Sequence, residues 1–342
     1  LSPLIAAGLT VAAGFFVFVA LGRDPLAAFH AFFVAPLSTE NGLSEWVLKA
    51  SPLALIATGL AVGFRAGVWN IGAEGQLMLG AIAATGLALA FDGTGSGWLL
   101  PAMVVAGALG GMAWAAIPAW LRTRFNANEI LTSLMLTYVA GHLLSYLVHE
   151  PWRDPEGYNF PQSKLFEEAA LFPAIFDGLR VNASLYLSLA GVAAGWVLLN
   201  RSFGGYQMRV AGLAPDAARY AGFSASRTVW IGMLAGGAAA GVAGVGEVAG
   251  PLGQLLPTVS PGYGFAAIIV AFVGRLTPIG IVAASLLMSL LYLGGESVQM
   301  ALNLPAAITG LFQGMLLFFL LGADVFINYR LRRVGPSLAG AA

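Results

Sequence analysis

Cysteine is absent from this 342-residue sequence, and charged residues make up only 9% of it. The lack of cysteine excludes a disulfide framework, a thiolate metal site and a cysteine nucleophile. A typical soluble domain is about one quarter charged, so a chain this poor in charge cannot cover the surface of a soluble protein. The formal net charge is zero, which leaves no basic face of the kind that binds nucleic acid.

Two common catalytic motifs are also missing. No Gly-x-x-x-x-Gly-Lys loop occurs in the sequence, which excludes ATP binding of the P-loop type by this chain. The three histidines form no His-Glu-x-x-His pattern, so zinc protease chemistry is not expected and no metal site is predicted. We therefore predict a protein that is not an enzyme and that has no catalytic residues or cofactor of its own.

Apolar residues dominate what is present: 58% of the chain is hydrophobic, and 45 positions are glycine. A helix that crosses a membrane needs about 20 mainly apolar residues, and small residues let such helices pack closely. We therefore predict an all-α membrane protein in which residues 1–342 form a single transmembrane domain. About ten transmembrane helices are predicted, at residues 3–22, 46–64, 70–91, 98–121, 127–149, 183–200, 229–249, 262–277, 279–297 and 303–323.

The basic residues are distributed unevenly between the two ends of these helices. With alternating helices, eleven of the 16 basic residues fall on one side, which the positive-inside rule assigns to the cytoplasm. Both chain termini then lie in the cytoplasm, a long loop at about 150–182 faces outward, and another at about 201–228 faces inward. The reversed topology is the alternative. The eleven residues are Arg65, Arg122, Arg124, Arg201, Arg209, Arg219, Arg227, Arg275, Arg330, Arg332 and Arg333.

One polar stretch, residues 64–76, interrupts the apolar segments with an Arg, an Asn, a Glu and a Gln among three glycines. Inside a bilayer, polar side chains and broken backbone survive mainly where they line a pathway or contact a partner. A capped and solvated helix start is the alternative, because an acid in the first turn suits the helix dipole. The first interpretation predicts a substrate path lined by Trp69, Asn70, Glu74 and Gln76, with Gly72 and Gly75 at the break.

A second interruption lies in the later half, where prolines and glycines surround the short apolar segment 262–277. This pattern suits a half-helix or a re-entrant segment better than a full span. Interrupted segments at corresponding positions of two halves point to an internal inverted repeat with a central binding site, although chance similarity is the alternative. The predicted positions of this break are Gly264, Gly274, Arg275, Pro278 and Gly280.

Glu247 is the most deeply placed acid in an apolar run. An ionisable residue at such a position marks a substrate path or a proton relay, so Glu247 joins the predicted path. A paired, structural acid among neighbouring glycines is the alternative.

The inward loop contains signals for a short helix. Pro215 and Asp216 suit a helix start, and Gly222 suits its end, which predicts a helix at about 215–221 that a motor subunit could grip. A helical turn lying on lipid head groups is the alternative. The residues predicted to couple to such a subunit are Arg209, Gly212, Pro215, Asp216, Ala218, Arg219 and Gly222.

The stretch 69–81, Trp-Asn-Ile-Gly-Ala-Glu-Gly-Gln-Leu-Met-Leu-Gly-Ala, resembles the signature of ABC importer permeases of the ribose/branched-chain-amino-acid superfamily. It is most similar to the subgroup paired with basic-membrane-protein-type lipoproteins, which typically imports nucleosides. Residues 212–222 resemble the cytoplasmic coupling segment of that family, with Ala214 in place of the usual Asn. Residues 262–268 and 274–280 are similar to its later signature.

The resemblance implies the permease subunit of an alternating-access importer in the bacterial inner membrane. ATP and Mg would be bound by a partner ATPase, and a second permease, identical or paralogous, would complete the core. A substrate-binding lipoprotein would dock on the outward loops, and membrane lipids would surround the bundle. Nucleosides are the expected substrates, with a simple sugar or riboflavin as alternatives. The competing class is a proton-coupled secondary transporter that uses Glu74 or Glu247.

Overall fold

A computed structural model describes residues 2–305 and 307–328 of the chain. This described part is helical, and its β-structure is limited to one isolated bridge between Ala174 and Asn182. Its α-helices are α1 (Ser2–Ala20), α2 (Pro25–Phe29), α3 (Glu40–Arg65), α4 (Ala73–Ala90), α5 (Leu99–Phe125), α6 (Glu129–His149), α7 (Ser184–Arg201), α8 (Phe203–Leu213), α9 (Pro215–Tyr220), α10 (Ala225–Glu247), α11 (Tyr263–Val273), α12 (Pro278–Leu302) and α13 (Ala307–Asn328). Short π or 3-10 turns follow α2 and α10.

Eight of the described helices are long and apolar enough to cross a membrane, namely α1, α3, α4, α5, α6, α10, α12 and α13. Two of the ten predicted segments fall outside this set. Helix α7 has 18 residues and falls short of the same apolarity. Helix α11 has only 11 residues, about 16 Å at 1.5 Å per residue, which is about half of a bilayer core. A short helix is therefore present where the sequence predicts a half-helix or re-entrant segment, whereas its depth in the membrane, the count of ten spans and the inverted repeat stay predictions.

Helix α3 runs through the centre of the bundle. Almost every residue from Leu48 to Phe64 is buried, and the helix packs against α7, α10, α11 and α12. A helix that is apolar on all sides is either surrounded by protein or in contact with lipid, and α3 is surrounded by protein. Because α3 ends at the polar stretch predicted from the sequence, this stretch lies inside the bundle.

Glycines on α10 and on α3 bring the backbone of α10 directly against three neighbouring helices, α3, α4 and α5. A methyl group at Gly241 would overlap the carbonyl oxygen of Gly107 on α5, and one at Gly244 would overlap that of Leu77 on α4. On α3, a Cβ at Gly59 would lie 2.8 Å from the carbonyl oxygen of Ala235. This is the close approach that small residues allow between membrane helices.

Three ion pairs of the described residues lie at the end of the bundle that holds the loop 150–183. The Arg180 guanidinium lies 2.9 Å from a Glu45 carboxylate oxygen, and the Lys49 ammonium lies 2.9 Å from Glu296. Lys164 pairs with Asp92, whose carboxylate raises the pKa of this lysine. We call this end, which holds the loop 150–183, the outward end; which end faces the cytoplasm stays a prediction.

The opposite, inward end holds the arginines of α3, α5 and the α8–α9 region. Arg122 at the end of α5 pairs with Glu129 at the start of α6. Arg65 at the end of α3 donates to the carbonyl oxygens of Leu276 at 3.0 Å and Leu199 at 3.4 Å. Three of the arginines predicted to lie here, Arg330, Arg332 and Arg333, lie outside the described residues.

Candidate functional site

Two buried amides hold the first break, residues 66–72, between α3 and α4. The Asn70 Nδ2 donates to Gln76 Oε1 at 2.9 Å, and Gln76 Nε2 donates to Asn70 Oδ1 at 3.0 Å. The same Asn70 oxygen accepts from the backbone N–H of Gly72 at 3.0 Å. Gly67, with a φ of 71°, makes the sharp turn that follows α3. In this conformation both amide groups are satisfied within the protein rather than turned toward an opening.

The first break is fixed to α6 by further polar contacts. The Ile71 N–H donates to Ser133 Oγ at 3.2 Å, and the Trp69 N–H donates to Glu129 Oε1 at 3.4 Å. Gly72 and Gly75 pack against the same helix, since a Cβ at either would lie within 2.8 Å of its backbone. Gly72 therefore lies at the break, whereas Gly75 is already in the first turn of α4 and serves as a packing position.

Trp69 is the most open of the four residues predicted to line the path at this break. Its side chain is 39% exposed, whereas Asn70, Glu74 and Gln76 are buried. The indole ring stacks on Phe272 of α11 at a centroid distance of 5.6 Å, and Phe272 in turn stacks on Phe64 at 5.2 Å. This aromatic stack joins the end of α3 to α11.

The first break and the second break, residues 253–262, are each followed directly by a helix, and the starts of these two helices, α4 and α11, meet through Glu74. Gly264, predicted at the second break, is already in the first turn of α11. The buried Glu74 carboxylate accepts the N–H of Gly264 at 2.6 Å and is also bonded to Ser260. Gly264 packs directly on Ala73 and Glu74, where any side chain would overlap the α4 backbone. Helices α4 and α11 therefore begin side by side, and the positive ends of both helix dipoles face one carboxylate. Two interruptions that are far apart in the sequence form one contact in the fold.

A tight turn closes α11 at the inward end. Arg275 and Leu276 have positive φ angles of 56° and 53°, and Pro278 begins α12. Gly274 and Gly280 lie against each other, since a methyl group at Gly280 would overlap the carbonyl oxygen of Gly274. The Arg275 guanidinium bonds to Ser2 of α1. Because Leu276 also accepts from Arg65, this turn is tied to the end of α3.

The inward segment predicted as a loop is mostly helical. The predicted short helix is present as α9, and the positive φ of Gly222, 79°, ends it. The N–H of Phe223 then bonds to Ala218 O at 2.9 Å, as in a helix C-cap. Helix α8 was not predicted from the sequence, because Gly204 and Gly205 lower helix propensity. The signal that could have predicted α8 is Ser202, whose hydroxyl group caps the first turn of this helix.

The α8–α9 segment lies directly against the first break. A methyl group at Gly212 would overlap the carbonyl oxygen of Arg65, the last residue of α3. A pocket of ≈ 140 Å³ separates α9 from the break. Its wall includes Ala66, Val68, Arg122, Pro215 and Arg219.

The outer face of α8–α9 exposes large side chains. Leu213 is 80% exposed and Tyr220 is 97% exposed, whereas Ala218 is turned inward and buried. Of the other residues predicted to couple, Arg209, Asp216 and Arg219 are exposed. The segment thus offers a mixed apolar and charged surface at the inward end.

Glu247 lies apart from the other predicted path residues, at the end of α10 on the outward side. It is 8% exposed and borders a cavity of ≈ 160 Å³. Tyr263, the first residue of α11, borders the same cavity and directly precedes Gly264, which bonds to Glu74. Among the described residues, no group of three or more potential metal ligands occurs.

Comparison with known proteins decides the family. The family model described as branched-chain amino acid transport system / permease component matches residues 42–321. The chain belongs to this permease family. The matched region contains both breaks, the α8–α9 segment and Glu247. No solved structure matches the chain.

Several relatives of this permease have names that mention a transported substance. The chain is 38% identical over 340 residues to the glucose ABC transporter permease protein TsgB13 of Haloferax volcanii, covering 96% of this chain and 89% of that protein. It is 29% identical to the guanosine ABC transporter permease protein NupP of Bacillus subtilis, covering 98% of each. It is 28% identical to the nucleoside ABC transporter permease protein NupB of Lactococcus lactis, covering 94% and 90%.

Proposed function

We propose that this permease is the membrane subunit of an ATP-driven importer for nucleosides or related small polar molecules. The family match supports the transporter class, and the names of two relatives support nucleosides. A simple sugar is the alternative substrate, because another relative is named a glucose permease. Glucose and guanosine share one chemical feature, an oxygen-containing sugar ring that carries several hydroxyl groups.

ATP hydrolysis belongs in this proposal to a separate ATPase subunit, with Mg, because the chain has no P-loop sequence. The permease itself forms no covalent bond to its substrate. The ATPase docks on the inward end, at the exposed Leu213 and Tyr220 and the charged residues beside them. A second permease completes the core, and a substrate-binding lipoprotein docks at the outward end.

The contact of Gly212 with Arg65 carries the mechanism. Since no side chain lies between α8 and the end of α3 at this point, a displacement of α8–α9 must be transmitted to the first break. The residues on either side of the first break transmit this displacement to α11 through two contacts, Arg65 with Leu276 and Glu74 with Gly264. Packed helices of this kind shift between discrete arrangements rather than deform continuously, which is what alternating access requires.

The outward loop 150–183 is suited to receive the binding protein because it is ordered against the bundle. Its backbone N–H groups at Ser163, Phe166 and Phe172 donate to carbonyl oxygens of Leu255, Gly253 and Ala249 at 2.7–3.0 Å. A partner that pulls on this loop therefore acts on the second break. We place the complex in the bacterial inner membrane with both termini in the cytoplasm.

The test is purification of the permease from its native membrane in mild detergent, with mass spectrometric identification of the proteins that accompany it. We expect an ATPase with a P-loop and a second permease. Uptake of labelled guanosine or glucose by the intact cells should stop when ATP is depleted and continue when the proton gradient alone is collapsed.

A proton-coupled carrier is the second candidate. The observation that favours it is Glu247, a buried carboxyl group to which no described residue donates a hydrogen bond. Recovery of the permease alone, with uptake that follows the proton gradient and ignores ATP, would establish this candidate and reject the importer.

A further inference from the structure

The cavity beside Glu247, which we call the outward cavity, is polar in a bundle that is mostly apolar. Five helical or loop elements contribute charged or hydroxyl side chains to its wall. Glu45 and Lys49 come from α3, Arg180 from the long loop, Glu247 from α10, Thr258 from the second break and Tyr263 from α11. At about 30 Å³ of liquid volume per water molecule, its ≈ 160 Å³ matches a small polar solute rather than a single water.

Glu247 is a buried acid in the wall of the outward cavity, and its hydrogen-bonding capacity is unused by the described residues. The side chain is more than nine-tenths buried, yet no described residue bonds to its carboxyl group. Buried polar groups almost always have a partner, and leaving one unpaired is costly. An unpaired carboxyl group that faces a cavity therefore points to a ligand that donates hydrogen bonds.

The other polar groups of the wall are held in place by bonds that leave part of their capacity open. The Arg180 guanidinium contacts Glu45 at 2.9 Å and Pro251 O at 3.2 Å. The Lys49 ammonium contacts Glu296 at 2.9 Å, which uses one of its three donors. The wall thus offers fixed donors on one side and the Glu247 acceptor on the other.

The cations of the wall already have acidic partners. Arg180 pairs with Glu45, and Lys49 pairs with Glu296 beside the cavity, so Glu247 is the group of the wall that keeps an unused acceptor. A ligand that donates hydrogen bonds to Glu247 and accepts them from the remaining donors of Lys49 and Arg180 fits this wall. Hydroxyl groups on neighbouring carbon atoms meet this description, because each hydroxyl is a donor and an acceptor at once.

We propose that the outward cavity binds the hydroxyl-bearing ring of the transported molecule, with Glu247 accepting bonds from its hydroxyl groups. This inference rests on the proposed function, since it assigns a subsite to the same transport path. Tyr263 joins the floor of the cavity to the Glu74–Gly264 contact. Occupancy of the cavity is therefore communicated to the point where the two breaks meet.

The test uses the permease purified with its bound partners in lipid nanodiscs, and ligand-observed saturation-transfer NMR as the binding measurement. The probes are guanosine against 2′,3′-dideoxyguanosine and glucose against 2-deoxyglucose. For at least one pair, we expect the wild type to bind the compound with all its hydroxyl groups about tenfold or more tightly than the deoxy compound. The deoxy compound loses hydrogen bonds to a charged group, which accounts for a difference of this size. Glu247→Gln, which keeps the side-chain volume, should reduce that preference to about twofold or less.

Glu168→Gln is the matched control. Glu168 is an exposed acid of the loop 150–183, which also supplies Arg180 to the cavity wall, but Glu168 itself lies outside the cavity. The control variant should keep the full preference. Tyr263→Phe removes one hydroxyl group from the wall but keeps the ring, and should weaken binding a few-fold; it serves as the second variant if Glu247→Gln does not fold.

Three results would each overturn the inference: a wild type that does not distinguish the compounds of either pair, a Glu247→Gln variant that keeps the full preference, or a Tyr263→Phe variant that binds as tightly as the wild type. Binding in nanodiscs requires neither ATP nor an ATPase. Hydroxyl-dependent binding without ATP-driven uptake would therefore reject only the proposed function. ATP-driven uptake by the wild type, together with a Glu247→Gln variant that keeps the full preference for the hydroxyl-bearing compound, would reject only the outward cavity as a subsite.

Discussion

Asn70 and Gln76 form a closed pair of buried amides at the first break. Each amide offers donors and acceptors, and the pair satisfies them mutually at 2.9 and 3.0 Å. Hydrogen bonds between membrane helices contribute about 0.6 kcal/mol on average, but a buried polar group left alone costs about 1–3 kcal/mol. The two residues should therefore act as a unit in stability measurements.

We expect Asn70→Ala to lower the free energy of unfolding by about 1–3 kcal/mol, because Gln76 loses its partner. Asn70→Leu combined with Gln76→Leu should cost less than the sum of the two single changes. Thermal unfolding of the purified variants in detergent measures both effects. Asn41→Ala, at an exposed position of α3, should have no measurable effect, and strictly additive changes would show that the pair is not coupled.

The same Asn70→Ala variant tests whether this residue also serves the transport path. If the amide bonds to substrate when the break opens, the KM for uptake should rise as well. Uptake that is unchanged in a folded variant would restrict Asn70 to holding the break together.

Helices α8 and α9 are the elements through which the ATPase is proposed to act, and Gly212 brings α8 directly against Arg65 O and Ala66, where α3 ends and the first break begins. An added methyl group there forces α8 away from α3. Overpacking of this kind typically costs about 1–3 kcal/mol. Its effect on transport should be larger than its effect on folding, since it acts on the contact that transmits the motion.

Gly212→Ala is therefore expected to uncouple the complex: ATP hydrolysis should continue while uptake falls about tenfold or more. Gly204→Ala is the matched control on the same helix, because a methyl group there would meet only Ser202 Oγ at 3.6 Å. Parallel assays of ATPase activity and uptake decide the outcome. Equal loss in both variants, or intact uptake in Gly212→Ala, would contradict a role of this contact in transmission.

Local signals in the sequence predicted the elements that depend on proline and glycine. Pro215 and Gly222 predicted α9, and Gly262 with Pro278 predicted the bounds of a short apolar segment that is helical as α11; both short helices are present. The contacts between elements could not be predicted, because Glu74 and Gly264 are 190 positions apart and neither carries a signal for the other. The sequence around Glu247 does not predict that its carboxyl group lacks a hydrogen-bond partner either. That property depends on how α3, the long loop and α11 are arranged around it.

At the scale of the whole molecule, the absence of cysteine makes the topology directly testable. Tyr158 in the outward loop and Tyr220 at the end of α9 are 93% and 97% exposed. Each can be replaced by the only cysteine of the chain. With the inward end in the cytoplasm, a membrane-impermeant maleimide should label Tyr158→Cys in intact cells and label Tyr220→Cys only after permeabilisation.

Unlabelled wild type is the background control for this experiment. Labelling of Tyr220→Cys in intact cells, with Tyr158→Cys protected, would reverse the topology and place the α8–α9 surface where no ATPase could reach it.

Helix α10 meets α3, α4 and α5 in close contacts at Gly59, Gly107, Gly241 and Gly244, where backbone atoms and short side chains such as Ala239 and Val245 fill the space. Long interlocked side chains must change rotamers before two helices can move relative to each other, and packed interiors resist such changes. Glycine and alanine have no rotamers to change. A shift of α10 from one discrete arrangement to another therefore requires few side-chain rearrangements at these positions.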